Sequence, residues 1–108
     1  MILDPSHQAA APSPTLDDLF RRAGVRHPGV VALIDPPDRE HFTDSAARRL
    51  TYAQADRAIS AIAARLRSLG LPTDTVVALQ LPNTVESVLA FFGIIRAGMI
   101  AAPLPLLW

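Results

Sequence analysis

Cysteine and lysine are both missing from this chain of 108 residues. Without cysteine there are no disulfides, no thiolate metal sites and no thiol nucleophiles, which fits a cytoplasmic protein. Without lysine, all ten basic side chains are arginine, and ten acidic residues balance them to a formal net charge of zero. No net field therefore draws in nucleic acid or an acidic membrane surface. Glycine is limited to five scattered positions, too few and too dispersed for a phosphate-cradling loop. His7, His27 and His41 stand alone, without an i, i+4 partner, and make no metal site. The opening "MILDPSHQAAAPSP" has no basic residue ahead of an apolar run, so a cleaved signal peptide is not expected.

What the chain does have is apolar residues, half of the total, and a positive mean hydropathy. Residues 1–14 are rich in Ala, Pro and Ser without periodicity and read as a flexible arm. Order is expected from Thr15. "TLDDLFRRAG" offers Thr15 as N-cap, with Asp17 and Asp18 as an acidic pair at the positive helix end rather than an acid/base dyad. Leu16, Leu19, Phe20 and Ala23 form one apolar stripe, and Gly24 closes the helix. Arg21 and Arg22 then fall in its last turn. Val30–Asp35 follows as a strand, then "PPDREHFTDSAA" as a long polar surface loop, then a short strand around "RRLTY". The two strands are expected to pair as an antiparallel hairpin at a sheet edge.

The second helix opens with a capping box, Thr51 with Gln54. Tyr52, Ala55, Ile59, Ile62, Leu66 and Leu69 step by three and four residues and form a buried seam, which makes Tyr52 a core residue rather than a catalytic one. Gly70 and Pro72 end the helix. "TVVALQL" is then a strand, Asn83 an N-cap with Glu86 three residues on, and the helix through Ala97 is apolar nearly all round. Asn83-Thr84 lies where open α/β sheets bind ligands, beyond a strand's C-terminal end at a helix N-terminus, although capping accounts for Asn83 in full. "MIAA" is the second strand, and Pro103, lacking an N–H, ends its ladder. Strand–helix–strand of this length is a right-handed βαβ unit with parallel strands. Apolar parallel strands and a helix apolar all round need cover on both sides. The fold class is therefore α/β: an edge hairpin and a parallel βαβ unit flanked by helices, with residues 15–108 the opening portion of a larger domain. A complete miniature domain is the alternative.

The order "LTYAQADRAISAIAARLRSLGL" and then "TVVALQLPNTVESVLAFFGIIRAGMIAAPL" resembles the N-terminal part of the AMP-forming acyl-CoA synthetases, within the adenylate-forming enzymes. The opening "TLDDLFRRAGVRHPGVVALID" fits the same pattern. The resemblance covers about residues 15–105. It implies an enzyme that joins a carboxylic acid, fatty or aryl, to AMP at the expense of ATP with Mg²⁺, then passes the acyl group to coenzyme A. The family's phosphate loop, ribose-binding Asp and catalytic Lys have no counterpart among these residues, so no catalytic or cofactor-binding position is carried over. The ending "PLPLLW" departs from the family's commoner form and leaves the subfamily open.

Two readings from other classes stand beside this one. Between Val88 and Trp108 the only charge is Arg96, and about twenty apolar residues can span a bilayer. A tail-anchored membrane protein would have to carry Arg96 near mid-membrane, at about 2.5–3.5 kcal/mol. A non-catalytic α/β interaction module is the other. The soluble reading also leaves a strand edge and an apolar helix face uncovered, so the chain is expected to self-associate. The seam predicts that Ile62→Asp, an unpaired carboxylate on the packed face, lowers stability by several kcal/mol, on the order of the cost of an unpaired buried charge. Arg65→Asp, off the seam, should stay near wild type. Urea denaturation of the two variants checks the assignment, and equal losses would mean that the wrong face was chosen.

Overall fold

The computed structural model describes residues 14–39, 46–82 and 84–105. His7, His41, Asn83 and most of the arm fall outside them. The elements are α1 (Leu16–Arg26), β1 (Val31–Ile34), β2 (Arg49–Thr51), α2 (Tyr52–Ser68), β3 (Val76–Leu79), α3 (Val85–Arg96) and β4 (Ile100–Pro103). β1 and β2 pair antiparallel, with an irregularity between Val31 and Leu33, and β3 and β4 pair parallel in the register Val76 to Ile100. The expected hairpin and βαβ unit are both present, as two separate two-stranded sheets.

Local chemistry explains where the first two helices start. Thr15 accepts from the Asp18 amide while Asp18 accepts from the Thr15 amide, at 3.1 and 2.8 Å, so the capping box is complete. Thr51 and Gln54 form the same reciprocal pair at 3.2 and 2.9 Å. Gly24 does not end α1, which continues to Arg26, leaving Arg26 rather than Arg21 and Arg22 as the basic residue of the last turn. A Cβ at Gly24 would sit 3.6 Å from the Tyr52 Cβ, an ordinary contact, so its place is against α2 rather than at a stop.

Packing then selects faces that differ in part from the expected stripes. α1 is rolled so that Asp17 and Phe20 face inward while Leu16 and Leu19 stay exposed. The Phe20 ring lies between Tyr52 and Phe92, with centroids 5.2 and 4.9 Å away, which holds the roll. On α2 the fully buried residues are Ala55, Ile59 and Ala63. Leu69 lies at the C-cap and is 65% exposed, so it leaves the expected seam. The helix ends at Ser68, one residue short of Leu69, while Ile62 and Leu66 are partly buried and Ala63 joins the buried face. The core joins Ala55, Ile59, Val85 and Leu89, with Phe20, Leu33, Leu50, Ile62 and Phe92 packed around them.

α2 and α3 share the most extensive contact in the fold. Its closest point is Gly93, where an added Cβ would lie 2.5 Å from Ile62 Cγ2 and 2.8 Å from Ile62 Cβ. Only a residue without a side chain lets the two helices approach this far. Beyond α3, Gly98 turns at φ +81°, and its carbonyl accepts from the Asp74 amide at 2.9 Å. Pro103 does not end the ladder: the following amide, Leu104, donates to the Leu79 carbonyl at 2.7 Å. Pro103 sits where its missing N–H would have pointed away from β3. The outer face of the pair is open, with Val76 62% and Ile100 48% exposed.

No helix among the described residues is long and apolar enough to cross a membrane. The stretch read as a possible anchor is instead a helix of 12 residues followed by a strand. Gly93→Ala should cost about 1–3 kcal/mol through overpacking against Ile62. Gly29→Ala, with nothing within 4 Å of the added Cβ, should change stability little. Chemical denaturation of both variants tests the close approach, and a neutral Gly93→Ala would refute it.

Candidate functional site

The position expected to matter for ligands, the N-terminus of α3, is occupied by a carboxylate from the protein itself. Asp35 follows β1, and its side chain is fully buried. One oxygen accepts from the Val85 amide at 2.7 Å, and the other from the Arg48 amide at 2.8 Å and from Arg39 Nη1 at 2.6 Å. Thr84, not Asn83, is the N-cap residue of α3, and its side chain makes no capping bond. Asp35 supplies that bond from fifty positions away, so an anion binds at the helix N-terminus as the fold requires, and it is the protein's own.

Arg39 extends the cluster. Its Nη1 and Nη2 reach the two oxygens of Glu86 at 2.7 and 2.9 Å, a bidentate pair, and Arg48 also bonds Glu86. The loop after β1 is therefore not simply a solvated surface, because Arg39 within it is only 5% exposed. Burial pushes the Asp35 carboxyl upward, but the Val85 and Arg48 amides and the Arg39 guanidinium together hold it below its ordinary value. Glu86 is lowered chiefly by its hydrogen bonds to Arg39, and Arg39 is raised chiefly by those same bonds to Glu86. With Asp35 and Glu86 lowered and Arg39 raised, these three side chains are held in their charged forms at neutral pH, as members of an ion-pair cluster rather than as a poised acid or base. A groove of about 210 Å³ opens beside it between Leu33, Pro36 and Val88.

A second cluster closes the other end of α3. Arg96 Nε and Nη2 hold the Asp17 carboxylate at 2.8–3.1 Å, and both side chains are about 5% exposed. Arg96 Nη1 reaches the Asp56 carboxylate at 2.9 Å, the Ser60 hydroxyl at 2.8 Å and the Asp56 carbonyl at 3.1 Å. Burial lowers the Arg96 pKa, and the hydrogen bonds and charges of Asp17 and Asp56 together outweigh it, leaving it raised. The Asp17-Asp18 pair thus divides: Asp18 caps α1 and Asp17 joins α1 to α3. Tyr52 is half-buried against Phe20 and lines a groove of about 290 Å³ with Arg21, Val25, Asp56 and Arg57. His27 is the C-cap residue of α1.

Among the described residues no group of three or more His, Cys, Asp or Glu could hold a metal ion. The helix N-terminus best placed for a phosphate is filled by Asp35.

These elements, in this order, are those of a known family. The chain belongs to the AMP-binding enzyme family, whose profile matches residues 20–108. Among its relatives is a beauvericin nonribosomal cyclodepsipeptide synthetase of Beauveria bassiana, 33% identical over 90 residues, or 83% of this chain and 2% of that protein. An oxalate–CoA ligase of Arabidopsis thaliana is 45% identical over 69 residues, 63% of this chain and 13% of the ligase. The solved structure of a fatty acid AMP ligase from Legionella pneumophila superimposes with a TM-score of 0.68 at 27% identity, covering 96% of this chain and 17% of that one. The chain spans only a small part of each relative.

The Asp35 cluster generates a stability prediction. Asp35→Asn leaves the Arg39 guanidinium and the Arg48 and Val85 amides short of a buried carboxylate and should cost about 3–5 kcal/mol. Asp35 and Glu86, both lowered from ordinary values of 3.8 and 4.5, contribute stability that is present above those values. It is lost as pH falls below them through the folded-state pKa values, because the unfolded chain takes up protons first. Urea midpoints measured from pH 7 to 3 should fall for wild type below about pH 4.5 and fall less steeply for Asp35→Asn. Parallel curves would mean that Asp35 is not the group responsible.

Proposed function

We propose that this chain is the N-terminal portion of an adenylate-forming ligase. In that reaction a carboxylic acid and ATP give an acyl-adenylate and pyrophosphate, and a thiol then displaces AMP to form a thioester. The observation that carries the reading is the family match over residues 20–108. The intact enzyme would use ATP with Mg²⁺, a fatty or aryl acid, and coenzyme A as the thiol. The oxalate–CoA ligase supports the coenzyme A assignment, and the fatty acid AMP ligase supports a fatty acid. Within such an enzyme these residues act as scaffold: the clusters at the two ends of α3 hold three helices and a hairpin together, and no reacting atom needs them.

A second reading keeps the adenylation and changes the acceptor to a carrier-protein thiol. The synthetase relative matches 83% of the chain, against 63% for the CoA ligase. Expression of the longest reading frame containing this segment separates the two. Acid-dependent ATP–pyrophosphate exchange is expected, followed by thioester formation on coenzyme A; transfer to a phosphopantetheinylated carrier alone would favour the second. Absence of exchange across aliphatic, aromatic and amino acids would overturn both. The 108-residue chain by itself is predicted to give no exchange above the level of buffer, and clean activity from it would show that the chemistry lies here after all.

A further inference from the structure

The three helices do not start in the same way. α1 and α2 are each capped from three residues away, by the reciprocal pairs of Thr15 with Asp18 and Thr51 with Gln54. α3 has the right residue type at its N-cap, Thr84, but no local cap. The Thr84 hydroxyl turns back to the Pro82 carbonyl at 3.4 Å, and the residue three positions on is Ser87 rather than Glu or Gln. The first amide of α3, that of Val85, is satisfied by Asp35 alone among the described side chains.

Asp35 also closes the base of the segment between β1 and β2. Its amide donates to the Arg48 carbonyl at 2.9 Å, and its carboxylate accepts from the Arg48 amide at 2.8 Å. Arg39 then reaches over to both Asp35 and Glu86. The seam between this segment and α3 is not sealed by apolar packing, since the groove of about 210 Å³ runs along it past Pro36, Thr84 and Val88. Polar bonds hold the seam, and they are graded. The Asp35 and Arg39 side chains are 0% and 6% exposed, whereas Glu86 and Arg48 on the outer side are 42% and 45% exposed.

We propose that Asp35 and Arg39 form a strap that orders the start of α3, so that releasing it frays this helix end while α1 and α2 keep theirs. A helix with its own capping box holds its first turn wherever it is placed; α3 holds its first turn only when the segment after β1 is seated. The end concerned lies beyond the C-terminal end of β3, the place where open α/β sheets take ligands. Order there is thus set by a contact from a different part of the chain. All the groups involved lie within the described residues, and the proposal does not depend on the reaction assigned above.

Hydrogen exchange read by mass spectrometry, on the longest protein that contains this segment, tests the strap. In Asp35→Asn the peptide over residues 84–90 should exchange about tenfold faster, and the peptide over residues 52–58 should stay within about threefold. Thr84→Asp added to Asp35→Asn supplies a local cap in a side chain of similar size and should restore protection at 84–90, although it rebuilds no bond to Arg48. Equal acceleration in both peptides, or no recovery with Thr84→Asp, would overturn the proposal, because a merely cohesive joint behaves in that way. Should Asp35→Asn not fold, the wild type in rising urea decides. Protection over 84–90 must be lost at lower urea than over 52–58, and simultaneous loss overturns the strap.

Discussion

Burying an ionised carboxylate is unfavourable unless donors reach its oxygens, and the arrangement around Asp35 follows from that requirement. Its donors come from three places in the chain: Arg39 in the loop that follows it, the amide of Arg48 leading into β2, and the amide of Val85 at the start of α3. None is close to another in sequence except through Asp35 itself. Among the described residues the hairpin and the βαβ unit share no hydrogen-bonded strands, and this carboxylate, with the Glu86 pairs beside it, is a polar joint between them. Apolar contacts with α2 supply the rest of the cohesion, but they are non-directional and do not specify a single orientation. The ion cluster adds the direction.

The same logic governs α3 as a whole. A helix with apolar residues on most sides could rotate or slide against its neighbours at little cost. Here its N-terminus faces Asp35 and carries Glu86, and its C-terminus carries Arg96, in both cases the sign that complements the helix dipole. The Arg96 carbonyl near the last turn accepts from Arg67 at 3.2 Å. Between these ends Gly93 meets Ile62 at a spacing no other residue would allow. Rotation, axial position and direction are thus fixed by three different kinds of interaction.

Much of this fold was legible in the sequence because its signals are local. The capping boxes at Thr15 and Thr51, the turn at Gly70 and the parallel βαβ punctuation all lie within a few residues of what they determine. The helix faces were less legible: Leu16 and Leu19 look like core until the Phe20 ring is seen between Tyr52 and Phe92. Least legible were the buried charges, since Asp35 looks like a strand-ending turn residue and Arg39 like part of a solvated loop. Arg96 did carry a signal. A lone charge in a long uncharged stretch needs a partner, and Asp17 was one of several carboxylates available, on a helix that also carries Asp18 and three arginines. Periodicity cannot name that partner, because nothing local links residues 79 positions apart.

Pro103 has a consequence that concerns the growth of a sheet. A sheet fragment with two equivalent open edges is divalent: each added strand exposes a fresh edge, and growth along the hydrogen-bond direction has no natural end. Pro103 is the last residue of β4, so the outer edge of that strand keeps one outward amide, Ala101, and is the poorer of the two edges for pairing. The two edges of the pair thus differ in how readily they accept a further strand, by one donor that a proline cannot supply.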